Sequence, residues 1–439
     1  MKIEVSLGEA IDKFSILEIK LLKISDENKK IEIQKEVNVL AECQEYKIKY
    51  ELYYNMLIYV NTKIWELTDV IKSITIDDKN FAYISNKIFE LNQKRFRIKN
   101  WFNIITNSFI KEQKSYSSSC CNIIVDNKDT FFNKLPEINY LSIEYDIITF
   151  ESPNINIIKD FLKTPNVMYD NDNNDHYLNN KTIINLNDFV IPNDEEKEVF
   201  SLKPIKYIIG GMFGDFIQGL SVINEKFYET GRKGILYISE QGEYFRNGLV
   251  NTYNDTYNII IKQPYICDFK IYNNDVFDVN LIYWRSNPNL GSKNWYYIYK
   301  ETYNIEWGKR IWLTVPFEEK WENKIIINTT DNRWSKHIDY NLLKDLYKND
   351  LIFIYSDEHQ KDFFIRQTNI EVEYYKFNSF LELTTIINSC KLFVGCMSGP
   401  LAIAHALHKN RICGLSDNPF DNNLNIGLDL FWPNLQFSV

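Results

Sequence analysis

Glycine is scarce in this 439-residue chain, at 15 residues, and histidine scarcer still, at five. Each glycine cluster is therefore informative, because close backbone approach and left-handed turns are concentrated where glycines stand. The seven cysteines (Cys43, Cys120, Cys121, Cys267, Cys390, Cys396, Cys413) are odd in number and scattered, with no CxxC pair. That excludes the usual zinc spacing and a disulfide framework, and fits a reducing compartment. A basic excess is also lacking: 50 Lys and Arg stand against 59 Asp and Glu, a net charge of −9. General nucleic-acid binding is disfavoured on that ground. No run of about 18 uncharged apolar residues occurs, so no membrane span is expected. The opening MKIEVSLGEAIDK carries acids early and does not read as a signal peptide, which makes a cytoplasmic protein the expectation.

What is present is the composition of a packed globular protein, 45% hydrophobic and 15% aromatic, with 29 Tyr and 28 Phe. The length suits two to four domains. Residues 1–115 read as helical. Ser6-Leu7-Gly8-Glu9 is a capping box, and Leu7, Ala10, Ile11, Phe14, Leu17, Leu21 and Ile24 make one apolar stripe behind it. A stretch without Pro or Gly runs from Lys30 to about Ile71, Asp77-Asp78 interrupts it, and a third helix is expected over 83–109. Three such helices form a bundle or a protruding hairpin. Residues 115–119 are a polar linker. Residues 120–200 alternate strand-like and helix-like pieces, as a small α/β module or an extension of the next domain. His176, in the polar loop 169–180, reads as solvent-facing.

Residues 203–305 contain the first clear α/β pattern. Tyr207-Ile208-Ile209 is a short strand, Gly210-Gly211-Met212-Phe213-Gly214-Asp215 a glycine-rich turn, and 216–229 an amphipathic helix before the strand 235–238. The glycine spacing matches neither the dinucleotide fingerprint nor the GK[ST] phosphate loop. Trp284, Trp295, Tyr296, Tyr297 and Trp307 cluster later in this stretch, as core or a wedge between domains rather than a platform for sugar rings. Residues 306–439 repeat the alternation. Strands are expected at 325–327, 351–355, 371–375, 392–394 and 411–415, with helices between them. Cys396-Met397-Ser398-Gly399-Pro400 is a turn before a small-residue helix over 401–407. Such a turn offers backbone N–H groups and the positive end of a helix dipole to a diphosphate. Alternating strands and helices imply parallel sheets with ligands at the strands' carboxyl ends. The loops 210–215, 328–333, 356–358 and 396–400 all fall at such ends.

GGMFGDFIQGLSVI, IIINTTDNRW and VGCMSGPLAIAHAL stand in the order of, and resemble, motifs of the heptosyltransferase-like glycosyltransferases, over about 203–439. The resemblance implies an α/β, GT-B-like pair of Rossmann-type parallel-sheet domains behind the N-terminal helical domain. The first (203–305) would face the acceptor and the second (306–439) would bind the nucleotide sugar. It implies an inverting, metal-independent transferase with no cofactor, whose partners are a nucleotide-diphosphate sugar and a glycan or other hydroxyl acceptor. Asp215 matches the general base. Ser398, Gly399 and Pro400, with Thr329, Thr330 and Arg333, match the donor diphosphate site. Gly211, Phe213 and Gly214 match the acceptor-side loop, and Glu358 is placed for ribose or base. No metal ligands are implied. The chain departs from the family pattern in having Cys396-Met397 before the serine and Ala402 where a histidine is common; His405, a turn later, reads as packing. A sugar-nucleotide epimerase of the same fold, and a non-catalytic scaffold with a degenerate transferase fold, are the alternative readings. The segment SLGEAIDKFSILEIKLLKI resembles the start of an uncharacterised helical family, which leaves self-association or partner binding as the role of these helices.

Overall fold

The structure is a computed structural model that describes residues 4–110, 119–169, 181–240, 244–290 and 292–414. The chain divides into two compact units, Met1–Leu202 and Lys203–Val439. The linker residues 115–118, the loop holding His176 and Leu415 lie outside the described residues.

The first unit opens with helices α1 (Leu7–Lys23), α2 (Glu27–Val39), α3 (Cys43–Lys49), α4 (Glu51–Ser73) and α5 (Phe81–Ile105). Ser6 caps α1 by accepting from the Glu9 N–H at 3.2 Å. The expected return bond is not among those described, and Glu9's carboxylate pairs with Lys99 on α5 instead. The uninterrupted stretch expected from Lys30 is broken at Leu40 to Glu42 and again at Tyr50, giving five helices in place of three. No Gly or Pro announces those turns. They let Cys43 and Tyr46 pack with Ile11, Phe14, Tyr54, Ile98 and Phe102, so tertiary burial overrides local helix propensity. Arg95 on α5 holds the buried Asp12 bidentately, and the Asn61 amide donates to Asp12 at 2.9 Å and to Ser15 at 2.8 Å. Gly8 is required where α1 meets α5, since a Cβ there would lie 2.3 Å from the Lys99 carbonyl.

Strands β1 (Cys120–Ile124), β2 (Ile147–Glu151), β3 (Val167–Met168) and β4 (Thr182–Asn185) form a separate parallel sheet in the order β3-β2-β1-β4. Helices α6 (Lys128–Asn133), α7 (Leu135–Glu144), α8 (Ile155–Phe161) and α9 (Asp194–Phe200) accompany it.

The second unit holds two parallel sheets. The first comprises β5 (Ile205–Ile209), β6 (Gly234–Ile238), β7 (Ile266–Ile271) and β8 (Val279–Asn280), in the order β7-β6-β5-β8, with α10 (Phe213–Thr230), α11 (Leu249–Ile260) and α12 (Trp295–Tyr303). The second comprises β9 (Ile325–Asn328), β10 (Leu351–Tyr355), β11 (Glu373–Lys376), β12 (Leu392–Cys396) and β13 (Arg411–Gly414), in the order β11-β10-β9-β12-β13. Its helices are α13 (Tyr340–Tyr347), α14 (Glu358–Thr368), α15 (Phe380–Ser389) and α16 (Gly399–Ala406). In each sheet the chain enters at an inner strand and later switches to that strand's other side, which opens a crevice at the carboxyl ends. The expected strands are present with ends moved by a residue or two. Two helix starts also move toward the N-terminus: α10 begins at Phe213, not Phe216, and α16 at Gly399, not Leu401.

Residues 307–312 join the two sheets as a strap, bonded on one side to α10 and on the other to α16 and the turn after it. The Trp307 and Trp312 indoles donate to the Gln218 and Ile217 carbonyls at 3.3 and 2.8 Å. The Trp312 N–H donates to the Ala406 carbonyl at 3.2 Å, and the His408 ring bonds the Gly308 carbonyl at 3.1 Å. Of the aromatic cluster, Trp284 and Trp307 are buried core together with Tyr299 and Trp312, whereas Trp295 and Tyr296 are half-buried and Tyr297 is exposed. Tyr299 stacks on Trp307 at 4.5 Å and on Trp284 at 5.6 Å.

Candidate functional site

The starts of α10 and α16 meet. A Cβ built on Gly214 would lie 3.8 Å from the Gly399 backbone nitrogen, and one on Gly399 would lie 2.6 Å from Cδ1 of Phe213. Two glycines therefore let the carboxyl-end loop of β5 lie directly against that of β12. Phe213 is the wedge: its ring packs edge-on to Phe380 at 5.1 Å. It serves the contact between the sheets, while the more exposed Met212 faces outward beside it.

Neither helix start is capped by a side chain. Met212 and Ser398 occupy the N-cap positions without a capping bond, whereas α12, α13, α14 and α15 are capped by Asn294, Asp339, Asp357 and Ser379. The Ser398 hydroxyl donates to the Cys396 carbonyl at 3.2 Å instead. Backbone N–H groups in a first turn have no intrahelical acceptor, and Pro400 has none to offer. The N–H groups of Gly399 and Leu401 are thus directed out of the start of α16 beside those of α10, and two helix dipoles present positive ends at one place.

Asp215 lies in the first turn of α10 and is buried. Because the helix begins two residues before it, Asp215 is not the N-cap residue. Its carboxylate forms an ion pair with Arg285, which follows β8 in a 3-10 turn and whose guanidinium carbon lies 4.9 Å from the Trp284 ring centroid. Gly211 has φ +97°, the left-handed region, and a Cβ there would lie 3.3 Å from Asp215 Oδ2. Glycine at 211 thus keeps the carboxylate's approach open.

From the other sheet, the loop after β9 brings Thr330 and Arg333 to the β12 turn. The Thr330 hydroxyl lies 3.7 Å from Cys396 Sγ, and the Arg333 guanidinium donates to the Met397 carbonyl, one residue before Ser398. Thr329 is buried, and its carbonyl accepts from the Gln360 amide at 2.8 Å, tying the start of α14 to this loop. Arg333 is half-buried against the turn. Glu358 is exposed at the start of α14 and pairs with Lys376 at 3.4 Å and Lys361 at 3.5 Å.

His405 is buried behind the site. Its Nδ1 lies 3.1 Å from Gln218 Oε1 on α10, and its ring meets Trp312 edge-on at 4.8 Å. Burial, then the Arg411 charge and the neighbouring His408, hold its pKa well below the usual histidine value, so the ring is neutral near pH 7.

Asp215, Gly214, Ser398, Gly399, Thr330 and Arg333 are thus drawn to one crevice from two sheets. Sequence reasoning missed Arg285. It stands at a strand's carboxyl end like the other loops, but β8 is two residues long and its signal was hidden in an aromatic run. Among the described residues no group of three His, Cys, Asp or Glu side chains is arranged to hold a metal, and no helix is long and apolar enough to cross a membrane.

Residues 1–131 match the model of a family of unknown function (DUF6165). No curated protein matches the chain. Among solved structures, the chain is similar to E. coli heptosyltransferase WaaC with ADP, at 11% identity and a TM-score of 0.32, over 48% of this chain and 86% of that one. It is similar to the iron-containing dodecameric glycosyltransferase TibC of enterotoxigenic E. coli at 12% identity and a TM-score of 0.31, over 48% of this chain and 58% of that one, under two thirds of TibC's length. A glycosyl transferase family 9 protein from Veillonella parvula is similar at 11% identity and a TM-score of 0.22, over 70% of this chain and 85% of that one.

Proposed function

We propose that this chain is an inverting, metal-independent glycosyltransferase that moves a sugar from a nucleotide-diphosphate donor to a hydroxyl acceptor. The observation that carries the reading is the abutment of Gly214 and Gly399, which sets a buried carboxylate from one sheet beside an uncapped helix start from the other. The acceptor oxygen attacks the anomeric carbon on the face opposite the diphosphate. Its proton passes to Asp215 as the new C–O bond forms, and the bond to the diphosphate breaks with its electron pair on the leaving oxygen. The N–H groups of Gly399 and Leu401 and the Arg333 guanidinium receive that negative charge, which metal-bound sites would meet with a cation. Thr329 and Thr330 shape the loop carrying Arg333. Gly211 and Gly214 leave room for the acceptor, and Glu358, at the rim, is assigned to the ribose. The donor is a substrate and no cofactor is invoked.

The test is thermal stabilisation by ADP, UDP, GDP and CDP, followed by hydrolysis of the matching nucleotide sugars. Asp215→Asn is expected to keep the stabilisation and to lower turnover by about 10²–10⁴-fold. Stabilisation without turnover of any donor, on water or on offered glycans, would instead establish the scaffold reading, which Cys396-Met397 favours. No stabilisation by any nucleotide refutes the transferase.

A further inference from the structure

We propose that Arg285 exchanges partners during the reaction: the guanidinium paired with Asp215 is drawn to the donor diphosphate, and its departure frees the carboxylate to take the acceptor's proton. This rests on the diphosphate site proposed above and adds an order of events to it. A carboxylate holding a guanidinium is a weaker proton acceptor than one facing an alcohol. A base locked in such a pair therefore has to be released before transfer. The two partners differ in their freedom to move. The Asp215 side chain is 9% exposed and fixed in the first turn of α10, whereas the Arg285 side chain is 34% exposed on a short 3-10 turn. The guanidinium is the partner that can leave.

One loop adjoins both groups. A Cβ on Gly211 would lie 3.9 Å from Arg285 Nη2, and one on Gly214, three residues along the same loop, 3.8 Å from the Gly399 nitrogen. The glycine-bearing loop after β5 thus touches the guanidinium at one end and the start of α16 at the other. A doubly charged diphosphate held there outcompetes a single carboxylate for a planar bidentate donor. The arrangement makes the base available only when a donor is present, so that acceptor activation and leaving-group binding are linked through one side chain.

The linkage is measurable without knowing the sugar, base or acceptor. Isothermal titration of the full chain with inorganic pyrophosphate, in buffer containing a chelator, is run on the wild type, Asp215→Asn, Arg285→Met and the double variant. Releasing Arg285 is expected to tighten binding by about tenfold in Asp215→Asn, within the range typical of coupled sites. Arg285→Met weakens binding, and adding Asp215→Asn to it changes the dissociation constant by less than about twofold. Arg285→Lys, which keeps a cation and guards against loss of folding in the methionine variant, preserves the response to Asp215→Asn. An equal tightening with and without Arg285 would mean simple repulsion between Asp215 and the anion, and would overturn the exchange. So would no tightening at all. Wild-type protein that binds neither pyrophosphate nor any nucleoside diphosphate overturns the diphosphate site itself, whereas binding with the wrong pattern overturns only the role of Arg285.

Discussion

Acid should loosen the contact between α10 and α16, and His405 sets the size of the effect. The ring is 2% exposed, wedged against Trp307 and Trp312, and its Nδ1 is within hydrogen-bond distance of Gln218 Oε1. A histidine whose folded pKa is depressed contributes stability that is present above its unfolded value, 6.5, and is lost as pH falls toward the folded value. Between about pH 7.5 and pH 5.5 the unfolded chain gains most of a proton at this site while the folded chain gains less. The loss over that window is on the order of 1 kcal/mol. His405→Gln removes the titration and keeps an amide N–H for Gln218. The assay is urea denaturation followed by tryptophan fluorescence, since Trp307 and Trp312 touch the ring. The wild type should lose on the order of 1 kcal/mol more than the variant between the two pH values; His408, also held below its usual pKa by burial, remains in both proteins. Parallel pH profiles would refute the assignment of a neutral His405 as the bond between the helices.

Gly399→Ala drives a Cβ to 2.6 Å from Phe213 and places a side chain just before Pro400, so the second unit should lose about 1–3 kcal/mol in urea denaturation. Phe213→Leu in the same chain should return part of that loss, and failure to do so would move the strain elsewhere. Arg333→Met removes a charged donor beside Ser398 and should weaken nucleoside diphosphate binding by about ten- to a hundredfold, read by calorimetry, while leaving the melting temperature of the unliganded protein nearly unchanged. In the first unit, Asp12→Ala removes the buried acceptor shared by Arg95 and the Asn61 amide. A loss of about 3 kcal/mol in unfolding free energy is expected, at the low end for a buried pair because Arg95 reaches solvent.

The second sheet of the second unit is legible from alternation alone, as are β5 and β6 of the first, whereas β7 and β8 are not. Ile325-Ile326-Ile327 and Leu351-Ile352-Phe353-Ile354-Tyr355 are short apolar runs bounded by polar loops, and every one of those residues is buried in a parallel sheet. The loops at Asp215 and Ser398 stand out because scarce glycines mark them. Other features had no local signature. The turns at Leu40 to Glu42 and Tyr50 arise from packing of Cys43 and Tyr46. The early start of α10, which takes Asp215 out of any capping role, depends on Met212 accepting the first helical N–H, that of Phe216, at 3.1 Å.

Read by itself, the chain marked the strands and helices of the second sheet, the β5-α10-β6 unit and the loops that end at their carboxyl edges, because those depend on the period of apolar residues and the positions of glycine. It could not settle which loops face one another. That was decided by a strap of tryptophans bonded to both α10 and α16 and by two glycines that let the helix starts touch. It likewise took the folded chain to bring Arg285 to Asp215, 70 residues away, since an ion pair between distant segments depends on where the sheet ends them and leaves no trace in local composition.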